Sequence, residues 1–274
     1  MTLTRRRIIL ALCVLLFVLS VPLAIFYALG YRWNSLFQLY QTGGLYISSP
    51  ITSSTIYINE KAEAQTNIFQ SGFLFQSLTP GKYKVTVAKD GYWPWSKTLA
   101  VKAQLVTEAR AMLMAKNPDW KLILKENYTP LQASKYNEIL NILKSPATTT
   151  DYARLTANQK EKLLWNPKSK QIWVTWLADS DSLPYYFCDD NSCKDNFLIF
   201  DSPAPIRNAD FYPGRRDVVI IAMENGIFAL EIDGRGGRNL QPIYKGKEPT
   251  FVTSPGENSI YILDEYVLIQ INLE

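Results

Sequence analysis

The chain has 274 residues, of which 47% are apolar, and this allows one to three domains with a substantial core. Arg5, Arg6 and Arg7 precede every acidic residue, and without these three the chain carries 26 basic against 25 acidic residues. A nearly neutral chain lacks the basic stripe that phosphates require, which argues against a nucleic-acid partner. Histidine is absent, which excludes Ser-His-Asp and Cys-His catalysis, and no cofactor is predicted.

The first predicted element is a membrane-spanning helix. Residues 8–29 (IILALCVLLFVLSVPLAIFYAL) carry no charge, and at about 1.5 Å per residue they reach roughly 33 Å, enough to cross a hydrocarbon core of about 30 Å. Because the Arg triplet precedes the run, the positive-inside rule places the N-terminus in the cytoplasm. Residues 1–30 are therefore predicted to be a single-pass signal anchor in the cytoplasmic membrane, with the bulk of the chain outside.

The same segment has two alternatives. A cleaved signal peptide would use Ala28-x-Gly30 as its small-residue site, but the apolar run exceeds the roughly 7–15 residues of a signal core, which favours an uncleaved anchor. Lipidation of Cys13 is disfavoured, because Leu12 precedes it in place of a small residue.

After a juxtamembrane linker at 31–42, the pattern changes to short strands separated by turn residues. Strands are predicted at 44–48, 55–59, 73–78, 82–88 and 96–101. Within 82–88, Tyr83, Val85 and Val87 alternate with polar residues, so these three are expected to face a core. Pro80 and Gly81 fit the central positions of a type II turn. Five strands in about seventy residues predict a small β-sandwich at 43–115.

The run LTPGKYKVTVAKDGYWPWSKTLAV resembles the second half of a PEGA domain, with matches at Pro80, Gly81, Tyr83, Val85, Val87, Gly91, Tyr92 and Trp95. The first half departs from the family pattern, because residues 52–54 (TSS) replace its Gly-Ala pair. The resemblance implies an extracytoplasmic interaction or spacer module of the cell envelope, and it brings no catalytic residues.

Three aromatic residues in this run have two interpretations. Tyr92, Trp93 and Trp95 are candidate ligand-binding residues, because aromatic platforms bind sugars or peptide segments. Alternatively they are packing residues, with at least one tryptophan in the core and another covering a sheet edge.

A proline-centred turn followed by a strand recurs in residues 116–274. Pro167, Pro213 and Pro255 are 46 and 42 residues apart, which is the period of a four-stranded propeller blade. The segment resembles β-propeller repeats, and its length predicts a partial or small propeller-like domain of three to four blades. Strands are expected at 217–222, 226–232 and 239–244, and a short helix at 131–143. The predicted fold class is therefore mainly β, with one transmembrane helix.

Three local features of this region have competing interpretations. Residues 234–238 (GRGGR) resemble a phosphate-binding loop but lack the context of a P-loop, which favours a hairpin turn. Five acidic residues in one loop region have two interpretations, a calcium site or solvated loops: Asp179, Asp181, Asp189, Asp190 and Asp195. The spacing of an EF-hand is absent. Cys188 and Cys193 are too few ligands for zinc, so a disulfide is predicted and no metal site.

These features predict a non-catalytic recognition or scaffolding protein of the cell envelope. Its expected partners are the membrane and either an envelope protein or a cell-wall glycan. The alternatives are a carboxylate-dependent glycan hydrolase with its site on the repeats, and a sensor that signals through a partner within the membrane. The sequence leaves the oligomeric state open.

Overall fold

The computed structural model describes residues 3–33, 38–123, 129–144, 152–166, 168, 170–189 and 192–273. Pro167, the first of the three repeat prolines, and Asp190 lie outside these residues. Two compact units are distinguished by their internal contacts, and each is described here by itself. The first comprises Met1–Ser48, Gly72–Tyr83 and Leu99–Ala109; the second comprises Ser49–Ser71, Lys84–Thr98 and Arg110–Glu274.

The described residues are mainly β. The N-terminal part contains α1 (Leu3–Ala28), β1 (Tyr31–Trp33), β2 (Leu39–Gln41), β3 (Gly43–Ser48), β4 (Thr55–Ile58), β5 (Lys61–Gln65), β6 (Gly72–Leu78), β7 (Gly81–Ala88), β8 (Trp95–Val101) and β9 (Val106–Arg110). The remainder contains β10 (Trp120–Leu122), α2 (Pro130–Lys144), β11 (Ala153–Leu155), β12 (Glu161–Asn166), β13 (Gln171–Trp176), β14 (Asn196–Asp201), β15 (Asn208–Phe211), β16 (Val218–Met223), β17 (Gly226–Glu231), β18 (Leu240–Lys245), β19 (Thr250–Ser254), β20 (Ser259–Asp264) and β21 (Val267–Asn272).

Helix α1 corresponds to the predicted anchor. Its best 18-residue window has a mean hydropathy of 3.1, and none of that window is buried against the rest of the protein. The helix is thus long and apolar enough to cross a membrane, by length and composition. It is followed by a two-stranded hairpin of β1 and β2, where the sequence predicted a linker.

Two antiparallel sheets form the sandwich-like module, one in the order β6-β3-β9 and the other in the order β5-β4-β7-β8. All five predicted strands are confirmed, with boundaries shifted by one residue at most. The alternation in β7 is confirmed for Val85 and Val87, which are completely buried. The expectation that Tyr83 lies in the core is wrong. Tyr83 is half-buried near the Gly81 turn, and its hydroxyl donates to the Thr79 carbonyl at 2.9 Å.

The C-terminal region contains three four-stranded antiparallel sheets. Two are meanders in chain order, β11 to β14 and β15 to β18, whereas the third joins β10 to the last three strands in the order β10-β21-β20-β19. The strands predicted at 217–222, 226–232 and 239–244 are confirmed as β16, β17 and β18. Strand β16 is buried along its whole length, which explains its continuous apolar sequence, VVIIAM.

No closed propeller is found in the described part of the chain, so the propeller resemblance is not supported. Three sheets are fewer than the four blades that a ring requires. Helix α2, which was expected at 131–143, occupies part of the segment that was predicted to form β-strand repeats. Its residues Tyr136 and Ile139 pack with Tyr261 and Leu268 of the third sheet.

A buried polar seam and a candidate recognition groove

The structure separates the three aromatic residues singled out in the sequence. Trp95 begins β8 and is 0% exposed, and its indole Nε1 donates a hydrogen bond to the Glu231 carboxylate. A side chain without exposed surface offers nothing to a ligand, so the binding role predicted for Trp95 is replaced by packing. Tyr92 and Trp93 are only half-buried, and their ligand-binding role stays a prediction.

Lys97 lies beside Trp95 on the same buried face of β8. Its ammonium Nζ is 3.3 Å from the Glu231 carboxylate and 3.4 Å from that of Asp233, and it donates to the Asp233 carbonyl at 2.7 Å. The guanidinium of Arg235 binds the Asp233 carboxylate through two contacts, of 3.0 and 2.9 Å. Two cations thus face two carboxylates. We call Trp95, Lys97, Glu231 and Asp233 the polar seam.

Burial and hydrogen bonding act in opposite directions on the pKa of Glu231. Burial raises the pKa of Glu231, whereas Lys97, the side chain of Asn239 and the Trp95 indole each favour its ionised form. Asn239 donates to Glu231 through both its side-chain amide, at 2.9 Å, and its backbone N–H, at 3.0 Å. The carboxylate oxygens are therefore occupied by the protein's own donors, which is the arrangement of a structural site.

Residues 111–114 are buried next to the seam but belong to no strand. Gln241 donates from its amide nitrogen to the Met112 carbonyl at 3.0 Å, and its amide oxygen accepts from the Met114 N–H at 2.8 Å. Arg215 donates to the Ala111 carbonyl at 2.9 Å. Buried backbone groups must be paired, and here side chains from distant segments of the chain satisfy them.

Arg215 is itself paired with Asp217, and both side chains are buried. The guanidinium Nε donates to the Asp217 carboxylate at 3.0 Å. Burial by itself would raise the pKa of Asp217, but the charge and hydrogen bonds of Arg215, together with the charge of Arg110, outweigh burial and lower it.

The sequence contained a signal for the seam. Trp95, Lys97, Leu99 and Val101 occupy alternate positions of one strand, so a lysine falls on an otherwise apolar face. A lysine is almost never fully buried unless it is paired, so this position required a carboxylate partner. The partners Glu231 and Asp233 are more than 130 residues away in the chain, and no local pattern identifies them.

The GRGGR loop, 234–238, connects β17 to β18 in an antiparallel hairpin, as the hairpin interpretation predicted. Gly236 has φ of +63°, and a Cβ atom at this position would collide with the backbone of Thr98. A glycine is required here because the loop approaches another chain segment closely.

Trp93 lies in a groove of about 510 Å³ beside the seam, and its backbone N–H donates to the Met114 carbonyl at 2.8 Å. Trp120, at the start of β10, is 64% exposed. Tyr244 contributes a third ring, and its hydroxyl donates to the Asp264 carboxylate at 2.8 Å. We call this the aromatic groove; its lining residues are Trp93, Lys116, Asn117, Pro118, Trp120, Pro242, Ile243, Tyr244, Lys245, Ile269 and Ile271.

The charge of the aromatic groove is one-sided. Lys116 and Lys245 are exposed, and the Nζ of Lys116 is 5.5 Å from the centre of the Trp93 ring. The described residues that line the groove include no carboxylate. The groove can therefore stack planar or apolar ligand surfaces on its rings and attract negative charge, but it offers no acid–base pair.

Tyr92 lies in a second, adjoining groove of about 410 Å³. Asn117, Pro118 and Ile243 line both grooves, so Tyr92 and Trp93 face different concave surfaces. Of the described residues that line the second groove, Asp119 alone carries a carboxylate. The sequence analysis did not select Trp120 as a candidate site residue.

Cys188 and Cys193 are joined by a disulfide in the structure. Of the acidic residues nearby, Asp189 accepts a hydrogen bond from the Ser192 N–H at 2.7 Å, and the Asp179 carbonyl accepts from the Trp176 indole at 3.0 Å. Among the described residues, no group of three or more His, Cys, Asp or Glu side chains is arranged to hold a metal ion.

Comparison with known families matches residues 42–117 to the PEGA domain. This agrees with the resemblance proposed at 43–115. A comparison with curated proteins returned no match. The family match covers the module alone. The N-terminal apolar helix indicates a membrane anchor or signal sequence, and the PEGA domain indicates an extracellular module.

Proposed function

We propose that this protein is a non-catalytic recognition protein of the cell envelope. Its N-terminal helix remains uncleaved as a single-span anchor with its N-terminus in the cytoplasm, and the rest of the chain lies outside the cytoplasmic membrane. The aromatic groove binds an anionic glycan of the envelope. The PEGA match and the apolar helix support the location, and the groove supports the activity.

The observation that carries this proposal is the composition of the aromatic groove. Trp93 and Trp120 offer rings for the apolar faces of sugar units, and Lys116 and Lys245 offer positive charge among described lining residues that include no carboxylate. The tryptophans require little reorganisation to bind. Trp93 is fixed by its backbone hydrogen bond, and β10 is fixed by pairing Trp120 with Ile271 of β21. Pre-organised aromatic surfaces bind at a low entropic cost.

The lining of the grooves favours binding over hydrolysis. A glycan hydrolase requires two carboxyl groups about 5–10 Å apart on either side of the bond to be cleaved. Among the described residues, the lining of the aromatic groove has no carboxyl group and that of the adjoining groove has only Asp119. Glu161 is completely buried and bonded to Thr156, Tyr186 and Arg216, so it does not face either groove.

The test is co-sedimentation of the full-length, detergent-solubilised protein with purified cell-wall glycan from its own organism. We expect Trp93→Ala, Trp120→Ala and Lys245→Ala each to reduce the bound fraction several-fold. Tyr266→Ala is the matched control, because this aromatic residue is 98% exposed and lies outside the grooves. Added salt should weaken binding if the lysines attract an anionic ligand.

Equal binding by all four variants would refute the groove as a glycan site. In that case, a photo-crosslinking residue in place of Trp120 in intact cells would test the alternative, an envelope protein as the ligand.

The orientation of the protein in the membrane is tested separately with Tyr266→Cys in a Cys13→Ser background. An impermeant thiol reagent should label this residue in intact cells, or in spheroplasts if an outer barrier exists, whereas protection in both would reverse the proposed topology.

A further inference from the structure

The residue two positions after the end of α1 is bonded to the segment that leads into β3. The Gly30 carbonyl accepts hydrogen bonds from the backbone N–H and the hydroxyl of Thr42, both at 2.9 Å. The Thr42 carbonyl accepts from the Gln104 N–H at 2.9 Å, and the Leu105 carbonyl accepts from the Gly44 N–H at 2.9 Å. Hydrogen bonds from Thr42 to Gly30 and from Gln104 to Thr42 therefore connect the end of the helix to the turn that precedes β9.

Arg32 closes the hairpin of β1 and β2 against the helix. Its guanidinium donates to the carbonyls of Tyr27 and Tyr31, both at 2.9 Å, and to the Ser77 hydroxyl at 3.0 Å. The guanidinium carbon is also 3.8 Å from the centre of the Tyr27 ring. A cation at a helix C-terminus is favoured by the helix dipole. The segment predicted as a linker is thus tied to the helix and to β6 at once.

Exposed apolar side chains gather at this end of the unit. Trp33 and Leu39 are register partners across the hairpin and are 63% and 43% exposed. Leu105 and Val106 are 57% and 56% exposed. We call these four residues the apolar rim. In water, four such side chains would leave a large apolar area hydrated next to the end of a helix that is itself apolar.

We infer that the apolar rim lies in the interfacial layer of the lipid bilayer, so that β3, β6 and β9 rest on the membrane surface. This inference depends on the membrane anchoring proposed above. The polar layer on each side of a bilayer is about 5–8 Å thick, comparable to the two hydrogen-bonded steps between Gly30 and Leu105. A tryptophan at this level fits the layer, because amphipathic rings concentrate there. The rim continues the spanning helix, which identifies lipid as the occupant.

The experiment uses the full-length protein in lipid vesicles, with Cys13 replaced by Ser so that one introduced cysteine carries a spin label. Leu105→Cys and Leu39→Cys report on the rim. Glu108→Cys, in β9, is the control three residues or about 10 Å beyond Leu105, and Tyr266→Cys is the exposed reference. Collision rates with oxygen, which concentrates in lipid, and with a water-soluble nickel chelate are measured for each label by electron paramagnetic resonance.

We expect nickel accessibility at positions 39 and 105 to be several-fold lower than at 266, with a higher oxygen-to-nickel ratio, and position 108 to lie between these values. Flotation of the same vesicles after alkaline extraction distinguishes the two proposals. If the protein floats but the label at 105 meets nickel as freely as the label at 266, the rim is not in the bilayer and the anchor stands. If the protein does not float, the anchoring fails and the inference fails with it.

Discussion

Trp93 and Trp95 are two residues apart, yet they lie in opposite environments. Trp95 is completely buried in the polar seam and bonded to Glu231, whereas Trp93 lines an open groove next to Lys116. In the seam, the protein itself supplies the matched charges and the hydrogen-bond donors. The groove instead presents aromatic rings and two exposed lysines, to which the negative charge of a ligand can bind. The same residue types therefore serve two purposes. A buried cluster whose polar groups are all hydrogen-bonded stabilises the fold, whereas exposed rings and charges can bind a ligand.

The largest effect should come from removing the cation of the seam. Lys97→Ala leaves the buried Glu231 and Asp233 with Arg235 as the remaining cation, and we expect a loss of about 3–5 kcal/mol in the free energy of unfolding. Lys84→Ala is the matched control, because Lys84 pairs with Glu60 at 3.1 Å and both side chains are largely exposed. It should cost less than about 0.5 kcal/mol. Equal urea midpoints for the two variants would remove the seam from the stability of the fold.

The next effect isolates the hydrogen bond of Trp95. Trp95→Phe keeps most of the packed ring but removes the donor to Glu231, and a hydrogen bond to a charged group is worth about 1.5–3 kcal/mol. Trp93→Phe should change the free energy of unfolding by less than about 0.5 kcal/mol, because the Trp93 ring is half exposed. Chemical denaturation of both variants tests the contrast, and a larger loss for Trp93→Phe would reverse the roles assigned to the two tryptophans.

A smaller effect is expected on the pH dependence of the free energy of unfolding, which should change more when a buried acid is replaced than when an exposed acid is replaced. The pKa of Asp217 in the folded protein lies below the unfolded value of about 3.9, since the charge and hydrogen bonds of Arg215, together with the charge of Arg110, outweigh the effect of burial. The ionised Asp217 therefore contributes stability above pH 4, and this contribution is lost as the pH falls through the folded pKa. The stability gap between the native protein and Asp217→Asn should narrow from pH 6 to pH 3.

Asp119→Asn is the control for that titration, because the Asp119 carboxylate is exposed at the adjoining groove. Thermal unfolding across the pH range gives both gaps. A constant gap for Asp217→Asn would mean that its ionisation does not contribute to the acid sensitivity of the fold.

The smallest expected effect on stability is in the aromatic groove. Trp120→Ala removes a side chain that is 64% exposed on an edge strand, so the unfolding midpoint should move by less than the equivalent of about 0.5 kcal/mol. The same variant is expected to lose binding to envelope glycan. If stability and binding fall together in proportion, Trp120 is a packing residue and the groove is not a recognition site.

Some features follow directly from local sequence. The anchor depends on the composition of one uninterrupted segment, and the five strands of the module depend on alternation and turn residues within a few positions of each other. The hairpin at 234–238 and the helix at 131–143 were predicted in the same way. The exposure of Tyr83 was not predicted correctly. Alternation shows which face of the strand a residue lies on, but not whether other residues pack over that face near the end of the strand.

The sequence by itself determined the apolar helix, the β class, the PEGA module and the period of the C-terminal strands, because each is encoded in neighbouring residues. Tertiary structure alone decided which tryptophan is buried, how Lys97 is neutralised by residues more than 130 positions away, and how β10 completes a sheet with β21. It also decided that the described C-terminal strands form three sheets, among which no closed ring is found. These outcomes depend on contacts between distant segments, and the free energy of such contacts is not expressed in any local pattern.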